Sequence, residues 1–314
     1  TARPNEGTNH PAILFVPGYN CFSMDNLPEG FVYQRIIQGY LDAGFVVHRI
    51  EKSGMGDNLN TPSCFETGFK LEMDVFRAGM ESMGALEGVD SENLFIFGHS
   101  LGGCIAPILA EEFQPKGVIV YGTVHTAWYE YLLRMLSVQN PLFGLEYAEH
   151  SHDMRHYHEL LYRHYVQKES IEALATENPD FLRILQRDFQ YQGGEQLFAR
   201  HTSFWQELND EDLISAWKNT ESYVLSIYGE ADIEALDAWS HQEIANIVNQ
   251  YHPGRAEFRL LENTTHGMVS VKSREHAVEV ARDFQYNSQH FNPEFLEITI
   301  AWMQDKVSRE AGTP

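Results

Sequence analysis

Short runs that are apolar almost throughout alternate along this chain with longer stretches whose apolar residues recur every third or fourth position. The runs are 12–16, 45–50, 93–97, 117–121, 223–228 and 256–261. Near-continuous apolarity over so few residues is what a strand buried on both faces requires. Between two of them, 66–86 carries Phe69, Met73, Phe76, Met80 and Met83 at helical spacing, a single apolar stripe suited to core packing. Strands and helices in alternation predict an α/β fold: a mostly parallel, doubly wound sheet covered by helices on both faces.

From 123 to 217 the alternation stops. Only helical patterns remain, broken at Asn140-Pro141, Asn178-Pro179 and Gly193-Gly194. The segment is rich in aromatic residues, Trp128, Tyr131, Tyr157, Tyr165 and Trp205 among them. The pattern predicts a core made of 1–122 and 218–314, with 123–217 inserted as a helical lid or cap after the fourth strand. Such an insertion is expected over the carboxyl ends of the strands, where chemistry-bearing loops gather.

Composition narrows the functions. A formal charge of −23 over 314 residues opposes a nucleic-acid groove, which needs clustered Lys and Arg, and opposes docking on anionic lipid. It favours small neutral or cationic molecules at a cleft. No apolar stretch approaches the roughly 18–20 residues of a membrane span, and 1–30 lacks the basic-then-apolar pattern of a secretion signal. The chain starts at Thr1, as a mature form or a part of something longer would, and its compartment stays open. The three cysteines show no metal-ligand spacing. Cys104 reads as a small buried apolar residue, while Cys21 and Cys64 each follow a strand-end loop, which leaves a bridge between them open.

The strongest chemical signal is Gly98-His99-Ser100-Leu101-Gly102, lying directly after the apolar run 93–97 and before the helix-compatible run 104–113. Strand, Gly-x-Ser-x-Gly and helix together describe a nucleophile elbow, a tight turn that exposes the serine hydroxyl at a helix N-terminus. Serine needs a base, and the base needs an orienting carboxylate. Fifteen histidines compete for that role, and position selects His266, in the loop after the last predicted strand. The acid is expected after 223–228, in Gly229-Glu230-Ala231-Asp232. The chain order Ser, Asp, His favours Asp232, with Glu230 as its local rival and Asp237 weaker, because a helix is expected from about Glu234. Asp232 also suits the cap of that helix. The oxyanion hole is expected from the N–H of Leu101 and from the loop Pro17-Gly18-Tyr19, with Tyr19 as donor. Gly18, His99, His125 and Trp128 are candidate substrate contacts.

With these motifs the chain resembles the α/β-hydrolase-fold serine hydrolases of the esterase or serine-peptidase-like kind. Pro17-Gly18-Tyr19, Lys52-Ser53-Gly54-Met55-Gly56-Asp57, the elbow, Gly229-Glu230-Ala231-Asp232 and His266-Gly267 carry the resemblance, over roughly 1–122 and 218–314. It implies a triad of Ser100, Asp232 and His266, an acyl-enzyme intermediate, and no metal or organic cofactor. Three features depart from the family pattern. Pro17 stands where many members have His, Asn58 where many have Ser, and the chain runs only from Thr1 to Pro11 before the first strand, where members place a leading hairpin.

The expected activity is carboxylesterase-like cleavage of a small ester with a hydrophobic or aromatic portion. An amidase or exopeptidase is the alternative, favoured by a lid carboxylate that captures an amine. Acyl transfer to an alcohol, and a non-catalytic ligand-binding module, are the others. His150, His152, His156, His158 and His164 cluster in the insertion. His152 and His156 share a helix face, but no Cys or Asp completes an obvious metal site, so a polar lid face is expected and no metal. The insertion's helical surface also suits a homodimer interface.

Overall fold

Six parallel strands form one sheet in the order β2-β1-β3-β4-β7-β8. They are β1 His10–Val16, β2 Val46–Arg49, β3 Val89–His99, β4 Gly117–Tyr121, β7 Tyr223–Gly229 and β8 Ala256–Leu261. Among the described residues there is also a separate antiparallel pair, β5 Gln196–Leu197 and β6 Arg200–His201. The computed structural model describes residues 1–4, 7–25 and 27–308. Each run predicted as a strand is one, and the stripe residues Phe69, Met73, Phe76, Met80 and Met83 are all buried on the helix Phe69–Gly84.

The apolar runs form strands because both faces of the sheet are covered. Ile13, Phe15, Phe97, Tyr121 and Ile227 of one face join Tyr40, Phe295 and Trp302 in a continuous core. Phe97 and Phe295 meet at a tilt with centroids 5.6 Å apart, and Phe95 meets Trp302 at 6.3 Å. Parallel pairing in register (Phe15 beside Phe97, Phe97 beside Ile119, Tyr121 beside Ile227) brings the carboxyl ends of β1, β3, β4 and β7 to one edge. Ala2 bridges Val47 in antiparallel sense through two backbone hydrogen bonds, of 2.9 and 3.0 Å, so residues before β1 do contribute pairing to β2.

Two compact units are distinguished. One comprises Thr1–Glu51, Val75–His125 and Leu213–Pro314, and holds the sheet; the other comprises Lys52–Asp74 and Thr126–Asp212. Outside its loops the second is helical except for β5 and β6, where the sequence predicted no strand. These two strands join through Phe198 and Ala199, both at positive φ (49° and 59°). That backbone suits a hairpin turn normally written Asn-Gly, and Phe-Ala conceals it from sequence inspection. The second unit's interior holds a buried charged trio. The Glu72 carboxylate receives Lys52 at 2.9 Å and Arg200 at 2.7 Å, and the Arg200 guanidinium lies 3.7 Å over the Phe204 ring. Burial pushes the Lys52 ammonium down to about 8, against the opposing pull of Glu72.

Candidate active site

β3 runs into an elbow at Ser100, whose φ of +57° lies in the left-handed region that non-glycine residues avoid. Tyr121 O accepts from Ser100 N–H at 2.9 Å, and Ser100 O accepts from Gly103 N–H at 2.9 Å. Two glycines make the turn. A Cβ at Gly98 would stand 2.5 Å from Gly102 O, and one at Gly102 would stand 2.1 Å from Val16 O. The helix Gly102–Phe113 follows at once with Leu101 as its N-cap residue, so Leu101 N–H lies at the positive end of the helix. Gly18, in the loop after β1, passes so close that a Cβ there would sit 3.5 Å from Ser100 Oγ. Tyr19 follows it, partly buried, and burial together with the Glu234 charge raises its hydroxyl pKa.

The loops after β7 and β8 carry an Asp–His pair. His266 Nδ1 lies 2.8 Å from Asp232 Oδ2, and Asp232 is fully buried. The other carboxylate oxygen, Oδ1, accepts from Glu234 N–H and Ala235 N–H, both at 2.8 Å. Burial alone would raise the Asp232 pKa; His266 and these two N–H groups outweigh it and hold the carboxyl below its ordinary range. Asp232 does cap backbone N–H groups, but not those of a helix starting near Glu234. The helix starts at Trp239, after Leu236 has taken a φ of +76°. Asp237 Oδ1 accepts from Trp239 N–H at 2.9 Å, just ahead of that helix rather than within it.

Glu230 is placed elsewhere. Its Oε2 accepts from Asn263 N–H at 3.0 Å, tying down the start of the His266 loop. Tyr121 Oη donates to Thr265 O at 2.6 Å, and Ala231 N–H to Thr264 O at 3.0 Å, so three contacts fix that loop against the sheet. At Gly122 (φ +62°) a Cβ would lie 2.8 Å from His266 Nδ1 and 2.9 Å from Asp232 Oδ2.

Two further buried histidines serve the same edge. Tyr33 and His99 Nδ1 are 2.5 Å apart, and His99 Nε2 is 2.9 Å from His266 O. The carbonyl only accepts, so Nε2 carries the proton and Nδ1 accepts from Tyr33 Oη, which in turn accepts from Gly18 N–H at 3.3 Å. One chain of hydrogen bonds thus joins the Gly18 loop, the elbow strand and the His266 loop. On the other side, His241 Nε2 accepts from Thr123 N–H at 3.1 Å, and its Nδ1–H donates to Ser226 Oγ at 2.7 Å. That anchors the backbone next to Gly122. Burial pushes both His99 and His241 down to about 3.

Unfolding returns these imidazoles to the ordinary histidine range near 6.5, so the unfolded chain binds more protons between about 6.5 and 3. The contribution of these two histidines to stability is therefore complete above 6.5 and falls as pH drops through that window, by roughly 2 kcal/mol per histidine at pH 5. Urea midpoints measured from pH 7 to pH 4 should decline accordingly, and His241→Gln should flatten the decline.

His266 behaves oppositely. Burial would lower its pKa, but Asp232 and then Glu234 prevail and lift it to about 9. Glu234 Oε2 lies 3.3 Å from His266 Nε2. A cavity of about 370 Å³ opens beside this ring, with Phe22, Phe31, Ile233, Val280 and Phe284 among its apolar walls and Tyr33, His99, Glu234 and His266 among its polar groups.

His99 lines this cavity. His125 is buried edge-on to Trp239 (centroids 4.7 Å), and Trp128, in the second unit, stacks on Trp205 at 4.9 Å. Sequence reasoning missed Tyr33, His241 and Glu234, whose roles come from contacts that no local motif announces. Cys21 and Cys64 are disulfide-bonded and Cys104 is free and buried. Among the described residues, His152, His156 and Asp180 place ligand atoms within 4.8 Å of one another, close enough that they could hold a metal ion. Asp180 is the member the sequence did not offer. Asp153, its neighbour in sequence to the histidines, instead binds Arg183 and Arg187, at 2.5 and 2.6 Å. Among the described residues no helix is long and apolar enough to cross a membrane.

No protein-family model and no curated protein sequence matches this chain. Solved structures do. A thermostable carboxyl esterase from Bacillus coagulans is 15% identical, with a TM-score of 0.55, over 97% of this chain and 92% of its own. Est1E from Butyrivibrio proteoclasticus is 11% identical, with a TM-score of 0.54, over 98% and 93%. A monoacylglycerol lipase from Paleococcus ferrophilus is 16% identical, with a TM-score of 0.52, over 95% and 97%. With its parallel sheet and flanking helices, the chain has the α/β-hydrolase fold.

Proposed function

We propose that this protein is a serine hydrolase that cleaves a small carboxylic ester through an acyl-enzyme. The observation that carries the reading is the hydrogen bond between the buried Asp232 and His266, held on loops at the same sheet edge as the strained Ser100 elbow. Ser100 Oγ attacks the ester carbonyl while His266 Nε2 takes its proton, and Asp232 stabilises the imidazolium that results. The carbonyl oxygen becomes an oxyanion between the N–H groups of Tyr19 and Leu101. Collapse of the tetrahedral intermediate breaks the C–O bond, and His266 returns the proton to the leaving alcohol. Water, deprotonated by the same histidine, then releases the acid and restores Ser100. No metal or organic cofactor enters any step.

Esterases and a lipase among the similar folds support ester chemistry. The apolar cavity beside His266 suits a hydrophobic or aromatic portion of a small substrate. The aromatic segment 123–217 keeps, on this reading, the role of a cap. His99, neutral and bonded on both nitrogens, acts through the His266 loop as a positioning residue.

Labelling with a fluorophosphonate, read by intact mass and peptide mapping, beside a series of p-nitrophenyl esters, tests the assignment. One adduct on Ser100 with ester turnover is expected; turnover with the adduct elsewhere would overturn it. Gly122→Ala should cost about 10²-fold in kcat or more, because its Cβ would displace the Asp232–His266 pair. Steady-state kinetics with a melting curve would separate that loss from unfolding.

A further inference from the structure

We propose that His152, His156 and Asp180 form a zinc site that clips together two helices of the second unit. None of the three belongs to the loops that hold Ser100, Asp232 and His266, so the site is independent of the serine-hydrolase reading.

Two of the donors share one helix face. His152 and His156 are one turn apart on the helix Tyr147–Leu161, and their Nε2 atoms stand 3.2 Å apart. Zinc held by two imidazoles at about 2.0–2.1 Å and a tetrahedral angle needs those atoms about 3.3 Å apart. The pair therefore already has the bite of a metal site. The third donor is Asp180, in the first turn of the helix Pro179–Asp188, and its Oδ2 lies 3.8 Å from His156 Nε2. That is about 0.5 Å wider than the tetrahedral edge, and a carboxylate 45% exposed on two rotatable bonds closes it by turning.

Other contacts hold the two helices at this separation. Asp153, buried and next in sequence to His152, binds Arg183 at 2.5 Å and Arg187 at 2.6 Å, both on the helix Pro179–Asp188. Arg187 also donates to Tyr157 Oη at 2.7 Å. With the helices locked in this way, the cation does not have to order its own ligands, and binding is easier for it. Arg183 reaches Asp180 at Oδ1, at 3.4 Å, and leaves Oδ2 for the cation.

Two imidazoles and one carboxylate suit zinc, whereas calcium and magnesium favour sets of oxygen donors. A water in the fourth position completes the tetrahedron. One neighbour opposes the metal. Arg155 Nη2 donates to His152 Nδ1 at 3.3 Å, which puts the proton of the neutral ring on Nε2, facing His156. Zinc takes the other tautomer: the proton moves to Nδ1, and the exposed Arg155 turns into solvent.

The test is calorimetric titration of zinc chloride into the full chain, stripped of metal with EDTA and desalted. One zinc per chain is expected, with a Kd of about 10 µM, and no binding of calcium or magnesium. His152→Ala and Asp180→Asn should each weaken zinc binding by about tenfold or more. Arg155→Ala should tighten it by about threefold, because the competing donor is gone. His152 and Arg155 are exposed and Asp180 half-buried, so the metal-free variants should melt close to the parent, and lost binding then reports a lost ligand. Zinc at ten times its Kd should raise the melting temperature of the parent by about 2 °C and leave that of His152→Ala unmoved. A parent that takes up no zinc at 1 mM overturns the site. So does binding that survives undiminished in both His152→Ala and Asp180→Asn, because the ion then sits on other residues.

Discussion

Ser100→Ala is expected to lower kcat/KM for every ester the protein hydrolyses by about 10⁶-fold, the loss seen when a nucleophile that acts as a unit with its base is removed. Removing Oγ leaves His266 no hydroxyl to deprotonate, whatever its protonation state. The elbow itself should survive. Alanine fits the volume of serine, meets the same steric cost at a φ of +57°, and keeps the backbone bonds of residue 100 to Tyr121 and Gly103. The variant should therefore melt where the parent does and fail to take a fluorophosphonate. Undiminished turnover would move the chemistry away from the elbow altogether.

Asp232→Asn should cost about 10⁴-fold in kcat with little change in KM, the scale for a wrong imidazole tautomer. The new side chain must keep an oxygen towards the N–H groups of residues 234 and 235, because both bonds are short and buried. Its amide N–H₂ then faces His266 Nδ1, which has to accept rather than donate. The proton moves to Nε2, and the lone pair that Ser100 needs is gone. Glu230→Gln should be far milder, since the Glu230 carboxylate serves the Asn263 N–H. The two variants compared under saturating ester make the ranking, and the reverse order would make Glu230 the acid.

The fold was legible because its signals are local. Near-continuous apolar runs mark strands covered on both faces, and the Met and Phe stripe between Phe69 and Met83 marks a helix packed along one side. Where a local signal was missing, sequence reasoning failed. The turn at Phe198-Ala199 uses positive φ without Gly or Asn, so β5 and β6 went unnoticed, and Leu236 delays a helix that composition alone would start sooner.

By itself, the sequence determined the parallel α/β alternation, the serine elbow with its two obligatory glycines, and the position of His266 after the last strand. Each is written in residues a few positions apart, where sterics and hydrophobic periodicity act directly. Only the tertiary structure paired the Asp232 carboxylate with His266 and the Glu230 carboxylate with Asn263, brought Glu234 to the far side of the imidazole, and joined Tyr33, His99 and His241 to the loops that hold it. It also set Asp180 beside His152 and His156. These choices depend on which strand ends the sheet order makes neighbours, and on side-chain directions that only packing fixes.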